Sequence, residues 1–297
     1  MHTRNGKFFN RKSNLLFLYL AVICWIIAGC DEINRKKYDS PPGYDMNEPI
    51  IVKLPTELDE ISGVAYYPKD TSVFAITDEV GWLYKIFLNR TNQIQKWQFS
   101  DVGDYEDLVL LDSNFYVLKS VGDVTAFRFM AGDTLALQTY PSTLGSGNEF
   151  EILYFDDHFK KLMMICKDCE SDKKKHLSSF SFDPWSLQFD NNAFVIDVTR
   201  IAAMAGETKM KFKPSAATIN PITGDVFIIS AINKILVVAD RQGNAKQVYR
   251  VDPGMFKQPE GICFMTDGTM IISNEFADVG VANLLIFPYN PKAQATK

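Results

Sequence analysis

Histidine is nearly absent from this chain, 3 in 297 residues, and cysteine is sparse at 5. His158 and His176 stand in or beside polar turns, so they read as surface groups and not as catalytic bases. There is no Gly-x-Ser-x-Gly elbow of the kind that presents a nucleophilic serine. The glycine-rich stretch Gly145–Phe150 precedes a strand pattern, which makes it a loop and not a dinucleotide fingerprint. A structural zinc takes four ligands, and the chain has no second cysteine pair and no His-x-His to complete one. The apolar run Leu15–Ile27 is shorter than the roughly 20 residues that span a bilayer.

That short run has a different meaning in context. Arg4, Lys7, Arg11 and Lys12 precede it with no acid among them, and Ile27, Ala28, Gly29 and Cys30 close it. A basic head, a brief greasy middle and small residues at the end make a secretory signal. The small-small-cysteine ending resembles the bacterial lipobox, which implies cleavage after residue 29 and acylation of Cys30. A chain so treated is a membrane-anchored lipoprotein of the cell envelope, facing the periplasm or the cell surface. Several acyl chains on one residue hold far better than the single chain that binds marginally. Residues 30–47 are polar, with Pro and Gly and no apolar period, and are expected to form a flexible tether.

Removing the signal takes four bases and no acid. The mature chain then sets 36 acids against 27 bases, a net charge of about −9. Such a surface excludes nucleic acid as a natural partner and disfavours anionic headgroups. It suits cations.

From residue 48 the chain repeats. Short β-branched and aromatic runs recur between Gly, Asp, Asn and Pro, the chemistry of strands and turns. They fall into groups of four about every 45 residues. The third group is expected to end in an outer strand at Ala193–Val198, and the fifth has three strands, of which the last is Asn283–Tyr289. Ile50–Leu54 supplies the missing one. The pattern predicts an all-β fold, a five-bladed β-propeller of four-stranded blades over residues 48–291, closed by the N-terminal strand and followed by a tail at 292–297. One helix is expected, Asp197–Gly206, between the third and fourth groups.

Each group opens with an acidic or hydroxyl residue: Ser62, Glu106, Glu151, Ser215 and Glu260. The stretches ELDEISGVAY, DYEDLVLL, KPSAATINPITGDVFIIS and QPEGICFMTDGTMIISNE resemble the SdiA-regulated, YjiK-like propellers of bacterial envelopes over about residues 50 to 290. The resemblance implies five blades and a calcium site, and no assigned activity. The third motif departs from the pattern, with Glu151-Ile152 where the family has Glu-Gly.

Geometry points the same way. First strands line a propeller's channel, so the residues that open them ring one mouth. The second strands return antiparallel to that face, and they too end in polar residues: Asp78 and Glu79, Lys119, Lys167 and Asp168, Ser230, Asn274 and Glu275. Glu106, Glu151 and Glu260 converge on one axis, and crowded carboxylates repel unless protonated or bridged by a cation. An oxygen-only ring suits Ca²⁺, with Ser62 and Ser215 as neutral donors. Lys119 and Lys167 offer the alternative of neutralising the acids without metal. Glu60 and Asp104 are expected in solvent.

Cys166 and Cys169 are placed either to form a small disulfide, in keeping with an oxidising compartment, or to remain free thiols. Cys263 reads as core. The function expected from all this is a calcium-binding interaction or scaffold module, with a protein or small-molecule ligand at the channel mouth. The alternative is a metal-dependent hydrolase of lactones or phosphoesters. If Cys30 is the acylated residue, Cys30→Ala abolishes incorporation of labelled fatty acid; labelling that persists in the variant contradicts the lipobox reading.

Overall fold

The computed structural model describes residues 36–90, 93–130, 135–144, 147–170, 172, 175–277 and 280–293. Among them the strands form five antiparallel sheets, the blades of a β-propeller. After β1 (Ile50–Lys53) the first blade comprises β2 (Ile61–Tyr67), β3 (Ser72–Thr77), β4 (Val80–Phe87) and β5 (Ile94–Val102). The second comprises β6 (Tyr105–Leu111), β7 (Asn114–Lys119), β8 (Val124–Phe129) and β9 (Leu135–Tyr140). In the third, β10 (Asn148–Asp156), β11 (Lys161–Cys169) and β12 (His176–Asp183) are followed by two short pieces, β13 (Gln188–Asp190) and β14 (Val195–Asp197). The fourth holds β15 (Ala216–Ile219), β16 (Val226–Ser230), β17 (Ile235–Ala239) and β18 (Ala245–Arg250). The fifth holds β19 (Pro259–Phe264), β20 (Met270–Asn274) and β21 (Asn283–Phe287), and β1 pairs with β21 from Ile50↔Ile286 to Lys53↔Asn283. The ring thus closes as the strand count predicts.

Burial follows position in the blade. The middle strands β3, β16, β17 and β20 are buried at every residue, because both faces press on neighbouring blades. The outer strand β9 is largely exposed. The core is accordingly split into five apolar clusters, each between two adjacent blades. The cluster between the first two blades is aromatic, with Phe115 stacked on Phe127 at 5.2 Å and Phe127 on Phe99 at 4.8 Å. That between the fourth and fifth contains Phe227, Phe256, Ile272 and Phe287.

Two expectations are corrected. The tether does not run unbroken to Asn47: Ser40, Tyr44 and Met46 are buried, the last two in the cluster between the fourth and fifth blades. The Tyr44 hydroxyl donates to the Gly268 carbonyl at 2.7 Å and accepts from Asn220 at 2.9 Å. The ring does not act alone: Met46 is buried in the same cluster, Met46 N donates to Ser40 Oγ at 2.9 Å, and the Gly43 carbonyl accepts from Asn290 N at 2.8 Å, so apolar burial and hydrogen bonds together offset the ordering of the segment. The outer strand expected at Ala193–Val198 is instead two strands on the same partner, β12. Asp190 caps the turn between them through Asn192 N at 3.2 Å. The helix, α1, is Val198–Met204; Asp197 is its cap, accepting from Thr199 N and Arg200 N, and Gly206 ends it at φ +74°.

Deleting residues 48–55 removes β1 and leaves β21 as an open edge, so the deleted chain is expected in the insoluble fraction. A soluble product that unfolds in one cooperative transition contradicts this closure.

Candidate functional site at the channel mouth

The residues that open the first strands are aimed by β-bulges. In the β6–β7 pair Tyr105 faces Lys119 and Asp107 faces Leu118, which leaves Glu106 as the extra residue. Glu151 is extra between Phe150 and Ile152, and Glu260 between Pro259 and Gly261. In the first blade Ser62 and Gly63 occupy the same irregularity. A bulge bends its strand and re-aims the extra side chain, here toward the channel mouth. The departure Glu151-Ile152 costs the bulge nothing: Ile152 turns into the core between the third and fourth blades.

The fourth blade is different. Its first strand starts at Ala216 with no bulge, and Ser215 stays out of the mouth. The Ser215 hydroxyl donates to the Pro259 carbonyl at 2.5 Å, tying this blade to the next. Of the five residues expected to ring the axis, four line the mouth and Ser215 does not.

The mouth is a cavity of about 490 Å³. Among the described residues its lining includes seven carboxylates, Asp78, Asp104, Glu106, Glu149, Glu151, Glu260 and Glu275, and one cation, Lys167. Ser62, Ser120, Asn148 and Gln258 complete it. Of the second-strand ends, Asp78, Lys167 and Glu275 arrive here; Lys119 lies over the Tyr105 ring instead, and Ser230 is spent on the Lys213 carbonyl. Asp104 is exposed, as expected, and also lines the rim, where it accepts from Ser120. Glu60 is exposed but reaches Glu275. The unexpected members Glu149 and Gln258, like Asp104, precede a mouth residue by two positions, and that offset from Glu151, Glu260 and Glu106 was a usable signal.

Electrostatics show the crowding. Burial, then the charges of Glu151 and Asp104, push Glu106 up to about 9. Burial and Glu151 push Glu260 up to about 8. Burial, a hydrogen bond with Glu60 and the charge of Glu260 push Glu275 up to about 8. Burial raises Asp78 as well, helped by Glu60, and its Oδ1 is buried without a hydrogen-bond partner. Burial raises Glu151 against the pull of Lys167, which bonds Glu151 and lies 3.1 Å from Glu149. Lys167 is held charged, because these carboxylates outweigh its desolvation.

The donors are oxygens, as a hard cation requires, and Asp78 Oδ1 is a buried acceptor without a hydrogen-bond partner. The oxygens are dispersed, however. Among the described residues the one group of three or more potential ligands within 4.8 Å of each other is Cys166, Cys169 and Asp172. Its two sulfurs are joined in a disulfide with Cα atoms 5.8 Å apart, so it is no metal cage. Cys263 is free and buried in the core.

No protein-family model matches the chain, and no curated protein matches it. Solved structures do. Glutaminyl cyclase from Myxococcus xanthus is similar at TM-score 0.58 and 13% identity, over 84% of this chain and 97% of that one. The calcium-binding protein regucalcin from Agrobacterium tumefaciens is similar at 0.50 and 13%, over 85% and 94%. A luciferin-regenerating enzyme is similar at 0.50 and 8%, over 84% and 98%. At such identities the likeness establishes the fold, a propeller, and no activity.

Glu106 and Glu260 start from 4.5 in the ordinary state. A raised folded-state pKa gives stability that is complete below the unfolded value and is lost as pH rises through the folded one. In chelator, the melting temperature is therefore expected to fall from pH 5 to pH 9.5, and to fall less in Glu106→Gln/Glu260→Gln. A melting temperature flat across that range contradicts the crowding.

Proposed function

We propose that this chain is an envelope-anchored lipoprotein whose propeller mouth binds a divalent cation, Ca²⁺, and serves as an interaction or scaffold module for a protein or small-molecule ligand. One observation carries the reading: among the described residues, seven carboxylates and a single lysine line one cavity. Glu106, Glu151 and Glu260, each set at a bulge that opens its blade, are the proposed donors, and Asp78 and Ser62 are candidates to complete the set. Ser215 is withdrawn from it, since its hydroxyl is engaged between blades. Binding draws the dispersed side chains inward and competes with Lys167 for Glu151. The resemblance of the strand-opening motifs to the SdiA-regulated, YjiK-like propellers supports the same reading, as does the calcium-binding character of regucalcin, which shares the fold.

The hydrolase reading is kept alive by one feature. Carboxyls raised to about 8 and 9 can act as proton donors or acceptors near neutral pH. No histidine lines the mouth among the described residues, so the base would be a carboxylate.

Calcium is expected to raise the melting temperature at neutral pH and chelator to lower it. A ligand at a hundredfold excess over its Kd adds about 2.7 kcal/mol to the folded state. Glu106→Gln or Glu260→Gln should shrink that response. Identical melting curves in calcium and chelator remove the site. Turnover of lactones or phosphoesters that vanishes with chelator would replace the binding module by the hydrolase.

A further inference from the structure

A second cavity lies beside α1. It has a volume of about 400 Å³ and is walled by Val198 and Ala202 of the helix and by Met210 of the returning chain. Its rim carries Lys175, Lys209 and Lys211. The Lys175 carbonyl accepts from Val198 N at 2.8 Å, which pins this lysine's backbone to the start of the helix. At the other end Arg250 clamps the Ala205 carbonyl and Glu207, both at 2.9 Å. Both ends of the helix are thus tied to neighbouring segments.

Three lysines on one rim are out of character for a chain of formal net charge −5. Lys211 pairs with Asp168 at 3.1 Å, but neither Lys175 nor Lys209 has an acidic partner among the described residues. Lysines of this kind lay their methylene stems along apolar surface and keep the ammonium at the edge. An apolar trough with cations at its lip matches a ligand that has an alkyl body and an anionic head. The volume is within the range of small-molecule sites. A smaller depression of about 130 Å³ shares Lys167 with the acidic mouth and Val198 and Lys211 with this groove.

We propose that the groove beside α1 binds a single-chain alkyl anion, with a carboxylate or phosphate head held by Lys175 and Lys209 and the chain against Val198, Ala202 and Met210. This site is independent of any ion at the channel mouth. It is tested by photolabelling the full chain with a diazirine-bearing dodecanoate in the presence of chelator, and mapping the label by mass spectrometry. The label is expected within residues 198–211. Dodecanoate and dodecyl phosphate should both compete, and whichever competes better identifies the head group; dodecanol and inorganic phosphate should not. Lys175→Gln/Lys209→Gln is expected to reduce labelling at least tenfold with an unchanged melting curve, and Lys175→Arg/Lys209→Arg to restore it. Label scattered over the surface, competition by dodecanol equal to that by dodecanoate, or undiminished labelling of the double glutamine variant would each overturn the proposal.

Discussion

The convergence of five inner strands on one axis is the constraint from which the rest follows. Backbones approach there more closely than side chains allow. A Cβ on Gly63 would lie 2.4 Å from Leu108 N, and one on Gly261 would lie 2.5 Å from the Ser62 carbonyl. The junctions are secured by hydrogen bonds between blades: Asp107 accepts from Leu153 N at 2.8 Å, Ser215 donates to the Pro259 carbonyl, and Ser273 donates to the Ser62 carbonyl at 3.1 Å. Asp107 is buried outright and burial raises its pKa, with two backbone N–H donors opposing the shift. The glycines and short polar groups of the repeat are thus first of all solutions to crowding.

The same convergence creates the charged mouth. Bulges at Glu106, Glu151 and Glu260 let the strands meet while turning one side chain per blade out of the ladder. Four of the blades are built this way at their entry, and the fourth is not, which is why Ser215 joins blades instead of facing solvent. Once the acids share a cavity, their protons or a counter-ion must settle the repulsion. Lys167 settles part of it at Glu149 and Glu151, on the third-blade side. Among the described residues Glu106, Glu260, Glu275 and Asp78 have no ion pair of that kind, and burial with the neighbouring acids raises them, as burial raises Glu151 even beside its lysine.

Much of this was legible from residue order. The four-strand period and the three-strand remainder gave the closure by β1, and the polar residue at the head of each first strand gave four members of the mouth. What escaped had local causes. Tyr44 and Met46 sit in a stretch whose composition is that of a tether, and their burial depends on a groove made more than 170 residues later by Asn220 and Gly268. The split of the third blade's outer strand turns on an Asp190–Asn192 turn inside an otherwise continuous pattern. The groove beside α1 joins Lys175, on one side of the helix in sequence, to Lys209 and Lys211 on the other, a proximity that periodicity does not reveal.

The central claim is that the mouth's uncompensated carboxylates take up a divalent cation, and calorimetric titration of calcium into the chelator-stripped full chain measures it directly. A saturable binding event near one ion per chain is predicted, abolished in Glu106→Gln/Glu260→Gln and unaffected by Ser215→Ala in a folded protein. Absence of binding, or binding that survives the double variant, would contradict the account.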